Sequence, residues 1–311
     1  MQERKAHTTV LLKQAVNALV VDRDGVYVDC TFGRGGHSSA ILDELAPQAT
    51  VIALDRDPEA VEAGLSLAKT EPRFSLVQGR FSGLKTLVES LGLAGRISGV
   101  LFDLGVSSPQ LDKAERGFSF LHEGPLDMRM DATTGPTAAE WLNSASERQI
   151  ADVLFLYGEE KFSRRMARAI VAARLDQPIT TTSQLADIVT AANPAWERDR
   201  HPATRAFQAI RIFINRELEE LTEGIKQAES LLRPGGRLVV ISFHSLEDRI
   251  VKKFITLQIK GDNFPKALPI PASMLRPTLK SIGKPIRADE AEIQHNPRAR
   301  SAIMRVAEKI A

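Results

Sequence analysis

Apolar positions along this chain keep two rhythms, and the first hundred residues alternate between them. Val26, Val28 and Cys30 alternate with Tyr27 and Asp29, a period of two that predicts a short strand. A turn rich in glycine follows, with Gly33, Gly35 and Gly36, and a helical pattern then runs from His37 to Leu45. The apolar run 51–54 predicts a second strand ending at Asp55. Asp57 and Pro58 suit the N-cap and first position of a helix reaching about Thr70. Residues 74–77 predict a third strand that closes at Gly79, Arg80 and Phe81, and Ser82 begins a helix to about Leu91. Residues 99–103 predict a fourth strand, with Asp103 at its C-terminal end. Strands and helices in strict alternation predict an α/β fold with a parallel, doubly wound sheet. Ahead of it, Leu12, Ala15, Val16 and Leu19 share one face of a packing helix, with Thr8 and Thr9 read as its caps.

The rhythm changes after Asp103. Residues 104–205 show no strand pattern that fits the sheet, and helical periodicity occupies roughly 137–145, 146–157, 159–175 and 183–192. An all-α domain inserted into the sheet domain accounts for this. The predicted division is 1–110 for the first part of the sheet domain, 111–205 for the insertion and 206–311 for the second part. Ile214, Leu218, Leu221, Ile225, Ala228 and Leu232 recur at helical spacing until Pro234, Gly235 and Gly236 interrupt them, and 237–242 predicts a fifth strand. Ser245 with Asp248 resembles a capping box for a helix to about Ile259. Residues 260–287 read as a basic loop carrying Lys260, Lys266, Arg276, Lys280, Lys284 and Arg287 against Asp262, and 302–307 predicts the last strand.

Composition narrows the class. Hydrophobic content of 43% without any run of 18 apolar residues excludes a transmembrane helix. The N-terminal apolar run is broken by Lys13, Gln14 and Asn17, so no signal peptide is expected. A single cysteine excludes an internal disulfide, a cysteine-rich zinc site and a cysteine-ligated iron–sulfur cluster, and fits a reducing cytoplasm. No residue cluster with metal-ligand spacing is visible. The formal net charge of +2 is uneven: residues 233–311 hold 15 Lys and Arg against 7 Asp and Glu, leaving 26 against 32 elsewhere. A polyanionic partner and a solvated basic tail explain that asymmetry equally well. In the predicted helix 159–175, Lys161, Arg164, Arg165 and Arg168 form a basic stripe opposite Phe162, Met166 and Ile170.

In open parallel sheets a ligand sits beyond the carboxyl ends of the strands. Gly33, Gly35 and Gly36, then Asp55, Phe81 and Asp103, all fall at such ends in successive units. A strand, a glycine turn and a helix suit a nucleotide-like ligand, and an acid about 20 residues later suits its ribose. A nicotinamide-binding loop asks for a glycine where Ser38 stands, and no phosphate-binding Gly-x-x-x-x-Gly-Lys-Ser/Thr loop exists. The stretch 29–35 instead resembles the first motif of class I S-adenosyl-L-methionine-dependent methyltransferases, with Thr31 where many have glycine.

Several stretches are more specific. His7-Thr-Thr-Val-Leu-Leu, Thr31-Phe-Gly-Arg-Gly-Gly-His37, Phe102-Asp-Leu-Gly-Val-Ser-Ser-Pro-Gln110, Arg116-Gly-Phe-Ser-Phe120, Gly124-Pro-Leu-Asp-Met-Arg-Met-Asp131, Ser242-Phe-His-Ser-Leu-Glu-Asp248 and Asn296-Pro-Arg-Ala-Arg-Ser301 resemble the bacterial 16S rRNA cytosine-N4 methyltransferases, the RsmH or MraW family. The resemblance runs from residue 7 to the C-terminus. It implies a Rossmann-like methyltransferase sheet with a helical substrate-recognition insertion. It also implies methylation of one cytidine in the decoding centre of the small ribosomal subunit, with S-adenosyl-L-methionine as cofactor. The family's cofactor contacts fall on Gly35, Gly36, His37, Asp55, Phe81, Asp103 and Gln110, of which His37 and Gln110 follow from the resemblance alone.

Methylation at C5 of cytosine calls for a cysteine nucleophile, and Cys30 lies inside the first strand, so an exocyclic amine is the better target. Such an amine needs alignment with the methyl group and a hydrogen-bond acceptor for its protons. Asp103 or the loop of Ser107 and Ser108 is expected to supply it; Ser108-Pro109 is similar to the Ser-Pro-Pro element of amino-methyltransferases acting on DNA. Arg164, Arg165 and Arg168 of the insertion, with His244, Lys280 and Lys284, are the candidate contacts to RNA. A nicotinamide dehydrogenase and a non-catalytic ribosome-assembly or RNA-binding factor on the same fold remain as alternatives, and a homodimer stays open.

Overall fold

The computed structural model describes residues 9–196, 201–261, 271 and 274–310. Thr8, Asp262 and Lys266 lie outside them. The chain divides into two compact units, 1–105 with 218–311 and 106–217.

The first unit is built on an eight-stranded sheet. Strands β1 (Val26–Asp29), β2 (Thr50–Asp55), β3 (Phe74–Gln78), β4 (Ile97–Asp103) and β5 (Leu232–Ser242) run parallel in the order β3-β2-β1-β4-β5. Strand β8 (Ile303–Lys309) pairs antiparallel with β5, and the short strands β6 (Leu279–Ser281) and β7 (Ile286–Arg287) pair with β8. The stretch expected as one basic loop therefore includes two edge strands. Three and two residues long, of which only Leu279 is buried, they carry no alternation to read.

Alternation in the parallel strands sorts side chains to two covered faces. Val28, Ile52, Leu54, Val100, Phe102, Leu238 and Val240 enter one apolar cluster with residues of α4 (Leu84–Ser90), α11 (Glu217–Leu231) and α12 (Ser245–Lys260). Tyr27, Val51, Ala53, Leu101, Val239 and Ile241 enter the other, with residues of α1 (Leu12–Leu19) and α2 (Gly36–Glu44). Helices on both faces are what an interior parallel sheet requires. Helix α3 (Pro58–Thr70) begins as its sequence dictates, with Pro58 in the first turn and the Asp57 carboxylate accepting the Glu59 N–H at 3.0 Å. It then comes close: a Cβ on Gly64 would stand 2.3 Å from Leu76 and 2.6 Å from the Phe32 ring.

Two expected caps are corrected. Helix α1 is preceded by Leu11 in a left-handed conformation and has no side-chain cap. Thr9 instead packs on Gly36. Helix α12 is capped by His244 rather than Ser245, and Glu247 rather than Asp248 closes the box, accepting the His244 N–H at 3.3 Å and the Phe243 N–H at 2.8 Å.

The second unit is helical: α5 (Ser108–Asp112), α6 (Ala138–Ser144), α7 (Glu147–Gly158), α8 (Ser163–Asp176), α9 (Thr182–Ala192) and α10 (Ala203–Asn215). Its core gathers Leu142, Ile150, Leu154, Met166, Ile170, Leu185, Val189, Phe207 and Ile210. Capping boxes at Thr137 with Glu140, Ser146 with Gln149 and Thr181 with Gln184 start α6, α7 and α9. Helix α8 starts later than its periodicity suggests, because Glu159 turns left-handed and the buried Glu160 accepts the Phe162 N–H at 2.9 Å. The unit is also longer than 111–205. Helix α10 contributes Ala206, Phe207, Ala209 and Ile210 to the helical core, and Arg216, left-handed at φ 51°, ends it. Because α10 and α11 share one apolar period, that break leaves no mark in the hydrophobic pattern.

Candidate active site

The glycine turn after β1 is held by two aspartates. Asp29 is fully buried at the end of β1, and its carboxylate accepts the Thr31 N–H at 3.0 Å and the Ser38 hydroxyl at 2.7 Å. Asp55, at the end of β2, accepts the Gly33 N–H at 2.8 Å and the Asp57 N–H at 2.9 Å. Each carboxylate oxygen has a second lone pair, so Asp55 keeps acceptor capacity. Burial pushes its pKa up to about 6, against those two N–H donors, which lower it. Gly33 and Gly35 take φ of 56° and 78°, where a side chain is strained. At Gly36 the constraint is space: a Cβ there would lie 1.9 Å from Thr9 Oγ1. The loop thus presents bare backbone at the start of α2.

Asp103 ends β4 beside this loop. Its N–H donates to Thr31 Oγ1 at 2.7 Å, tying strand to turn. Its Oδ2 lies 3.5 Å from Nδ1 of the buried His37. Burial raises the Asp103 pKa well above the usual carboxylate range, reinforced by the charges of Asp29 and Glu247, and burial lowers that of His37. Both shifts run against an ion pair between the two groups. Phe81, just past β3, meets Phe102 edge-on with centroids 5.2 Å apart and backs onto α11, where a Cβ on Gly224 would come within 2.6 Å of its own.

Ile241 stands opposite Asp103 in the sheet, and Ser242 is the next residue. Here and in the turn, buried polar atoms lack partners among the described residues: Asp103 Oδ1, His37 Nε2, Ser242 Oγ and Nδ1 of His244. His244 Nε2 lies 3.2 Å from Glu247 Oε1. Buried polar groups without partners are rare, and several at the carboxyl end of one sheet fit a polar ligand that would satisfy them.

The sheet unit thus brings together Gly33, Gly35, Gly36, His37, Asp55 and Asp103 through the contacts above, with Phe81 at the neighbouring strand end. Ser107, Ser108 and Gln110 lie in the helical unit. Ser107 caps α5, Gln110 Oε1 accepts its N–H at 2.9 Å, and Ser108 and Gln110 are buried. Arg164, Arg165 and Arg168 are exposed on α8, where Arg168 Nε stands 3.8 Å from Glu147. Lys280 pairs with Glu308 at 2.6 Å, while Lys284 is exposed in the turn between β6 and β7. Pattern reading passes over Asp29, Thr31, Ser242 and Glu247 as site residues; an acid between Val28 and Cys30 in an otherwise apolar strand is the one sign of them. The helical unit also has a cleft of about 230 Å³ lined by Lys161, Phe162, Trp196, His201 and Arg205, in which His201 stacks on Phe120 at 4.6 Å.

Comparison with known proteins gives the family of the chain. A sequence model of the MraW methylase family matches residues 4–310. A protein of Chromohalobacter salexigens named ribosomal RNA small subunit methyltransferase H is 57% identical over 98% of this chain and 92% of its own length. One of Nitrosococcus oceani with the same name is 55% identical over 99% of this chain and 98% of its own. Among solved structures, an rRNA methylase from Streptococcus thermophilus aligns over 100% of this chain and 99% of its own, at 13% identity and a TM-score of 0.42.

Proposed function

The chain belongs to the MraW methylase family, and from that premise we propose that it methylates the N4 amine of one cytidine in the decoding centre of 16S rRNA, within the small ribosomal subunit. The methyl donor is S-adenosyl-L-methionine, which supplies an electrophilic methyl group when bound. Gly33, Gly35 and Gly36 let that ligand approach the backbone, and the remaining lone pairs of Asp55 suit its ribose hydroxyls. Phe81 offers a ring beside the same strand ends. No helix among the described residues is long and apolar enough to cross a membrane.

The observation that carries this reading is the unpartnered Oδ1 of Asp103, buried beside the glycine turn. An exocyclic amine is a weak nucleophile until an acceptor draws on its protons, and this oxygen is an acceptor with no partner among the described residues. The alternative, attack at C5, needs a reactive thiolate. Cys30 is the chain's one cysteine; it is buried, and burial pushes its thiol well above the usual range. The helical unit supports recognition of RNA through its exposed arginines on α8 and its cleft with Trp196, His201 and Arg205, since single-stranded bases are held by stacking and phosphates by cations.

The test incubates small subunits lacking the modification, and separately protein-free rRNA, with labelled S-adenosyl-L-methionine, and identifies the product nucleoside by mass spectrometry. N4-methylcytidine at one position, formed in subunits, is the expected result. Label on carbon or on a ribose oxygen would overturn the N4 assignment, and no label in either substrate would overturn the activity.

A further inference from the structure

Away from the strand ends, the sheet unit has a second cleft, between α12 and the turn that joins β6 to β7. Its volume is about 140 Å³, the share of a few water molecules and room for one phosphate group. Three cations line it, Lys252 from α12, Lys284 from the turn and Arg305 from β8, together with Thr256 and with Ser281, whose hydroxyl donates to the Gly283 carbonyl at 3.5 Å. Arg305 is already matched, donating from Nε and an η nitrogen to both oxygens of Asp248 at 2.7 and 2.9 Å. Lys252 and Lys284 are exposed, and no carboxylate among the described residues pairs with either. Lys280, one strand residue away, differs in having Glu308 as partner. The cleft therefore presents two uncompensated ammonium groups around one small space, and paired cations of that kind suit an oxyanion.

Its place in the sheet matters. Arg305 stands opposite Val240, two residues before Ser242 on β5, and β7 pairs with Met304 and Ile303 on the side of the strand ends. At about 3.3 Å per residue, the cleft lies roughly 7 Å back along the strand from the level of Ser242. Across the sheet β8 and β7 lie two and three strands from β4, about 10–14 Å, so a chain whose reactive base is held beside Asp103 reaches the cleft a few nucleotides away.

We propose that this cleft binds a backbone phosphate of the RNA substrate, a few nucleotides from the methylated one. The proposal rests on the rRNA methylation reading above. It assigns Lys252 and Lys284 to positioning the strand rather than to reading bases, since phosphate contacts carry no sequence information.

The test measures binding of the unmodified small-subunit rRNA between 50 and 200 mM salt for the wild type, for K252Q/K284Q and for K253Q. Lys253 is exposed on the same helix but does not line the cleft. Loss of one phosphate contact lowers the slope of log affinity against log salt by about 0.7–0.9. The advantage of wild type over the double variant should then shrink about threefold across that fourfold range of salt. S-adenosylhomocysteine binding on the same preparations reports whether each variant is folded at the strand ends. A double variant that behaves as K253Q does would overturn the phosphate site and leave the methylation reading standing. So would lysine-dependent binding of inorganic phosphate in a protein whose RNA slope is unaffected, since the cleft would then serve free phosphate. A wild type that labels no RNA at all would sink the activity itself, a result that the binding slopes do not produce.

Discussion

Asp103 in the sheet unit and Asn215 in the helical unit are both polar side chains set among apolar neighbours, and the fold treats them differently. The Asn215 amide is used to completion: Oδ1 accepts the Met130 N–H at 2.8 Å, and Nδ2 donates to the Met128 carbonyl at 2.7 Å and the Arg211 carbonyl at 2.9 Å. These bonds bind the irregular stretch around Met128, itself left-handed at φ 63°, to the end of α10. Asp103 has one unpartnered oxygen and, for the other, a 3.5 Å contact to a histidine that resists protonation. A side chain that completes the fold and one left waiting for a ligand can share a polar character at the end of an apolar element, though Asn215 is buried and Asp103 is 23% exposed. What separates them is the balance of donors and acceptors around each.

That contrast breaks most sharply through substitution to alanine. Asp103→Ala should lower kcat at saturating cofactor by about 10²–10⁴, the range of a lost acid–base group, with little loss of stability because no donor is left without its acceptor. Asp103→Asn, which keeps a carbonyl acceptor, should retain more turnover than alanine. Full turnover by the alanine variant would remove Asp103 from the chemistry. Asn215→Ala should do the reverse, costing about 2–5 kcal/mol in urea denaturation as buried backbone groups lose their partners. Unchanged stability would mean that the loop of Met128 finds other partners.

How far the chain could be read follows the same division. The parallel strands were legible because each is flanked by covered faces and alternates between two apolar clusters, as Val28 and Tyr27 do. The strand-end positions of Gly33, Asp55 and Asp103 follow from that order alone, since the carboxyl ends of parallel strands share one edge. Asp29, Ser242 and Glu247 were not legible as site residues, because their roles depend on hydrogen bonds and charges across neighbouring segments. The break between α10 and α11 was hidden for a different reason: Arg216 adopts the left-handed conformation without a glycine to announce it. Arg116 shows the limit of motif reading, since its buried guanidinium donates to the carbonyls of Arg129 at 3.1 Å and Met130 at 2.9 Å. The arginine of that motif ties the loop to the stretch around Met130.

A smaller effect sharpens the view of the sheet unit through pH. Asp55 titrates near 6 in the folded chain against an ordinary value of 3.8, so the folded state holds the proton more tightly than the unfolded one. Its stabilising contribution is present below about pH 4 and lost as pH rises through 6, by up to about 3 kcal/mol. The stability of the wild type relative to Asp55→Asn should therefore fall across that window. Cofactor affinity should move the opposite way, rising through pH 6 as the carboxylate that accepts ribose hydroxyls ionises. A wild type and an asparagine variant with parallel pH profiles, in both stability and affinity, would show that Asp55 does not titrate there.

The smallest effect on stability belongs to the helical unit. Arg168 is 78% exposed, and its contact with Glu147 at 3.8 Å is a surface pair. Such pairs contribute about 0–1 kcal/mol, so Arg168→Gln should leave the urea midpoint almost unmoved. Its value to the comparison lies in a second readout. An arginine on a phosphate contributes close to one unit to the salt slope of RNA binding, whatever the sequence bound. A variant with unchanged midpoint and a slope reduced by about that amount would place the cations of α8 on RNA, in the manner proposed for Lys252 and Lys284. An unchanged slope would make the stripe a solvated face, and recognition by this unit would then fall to the cleft of Trp196, His201 and Arg205, where stacking rather than charge sets the affinity.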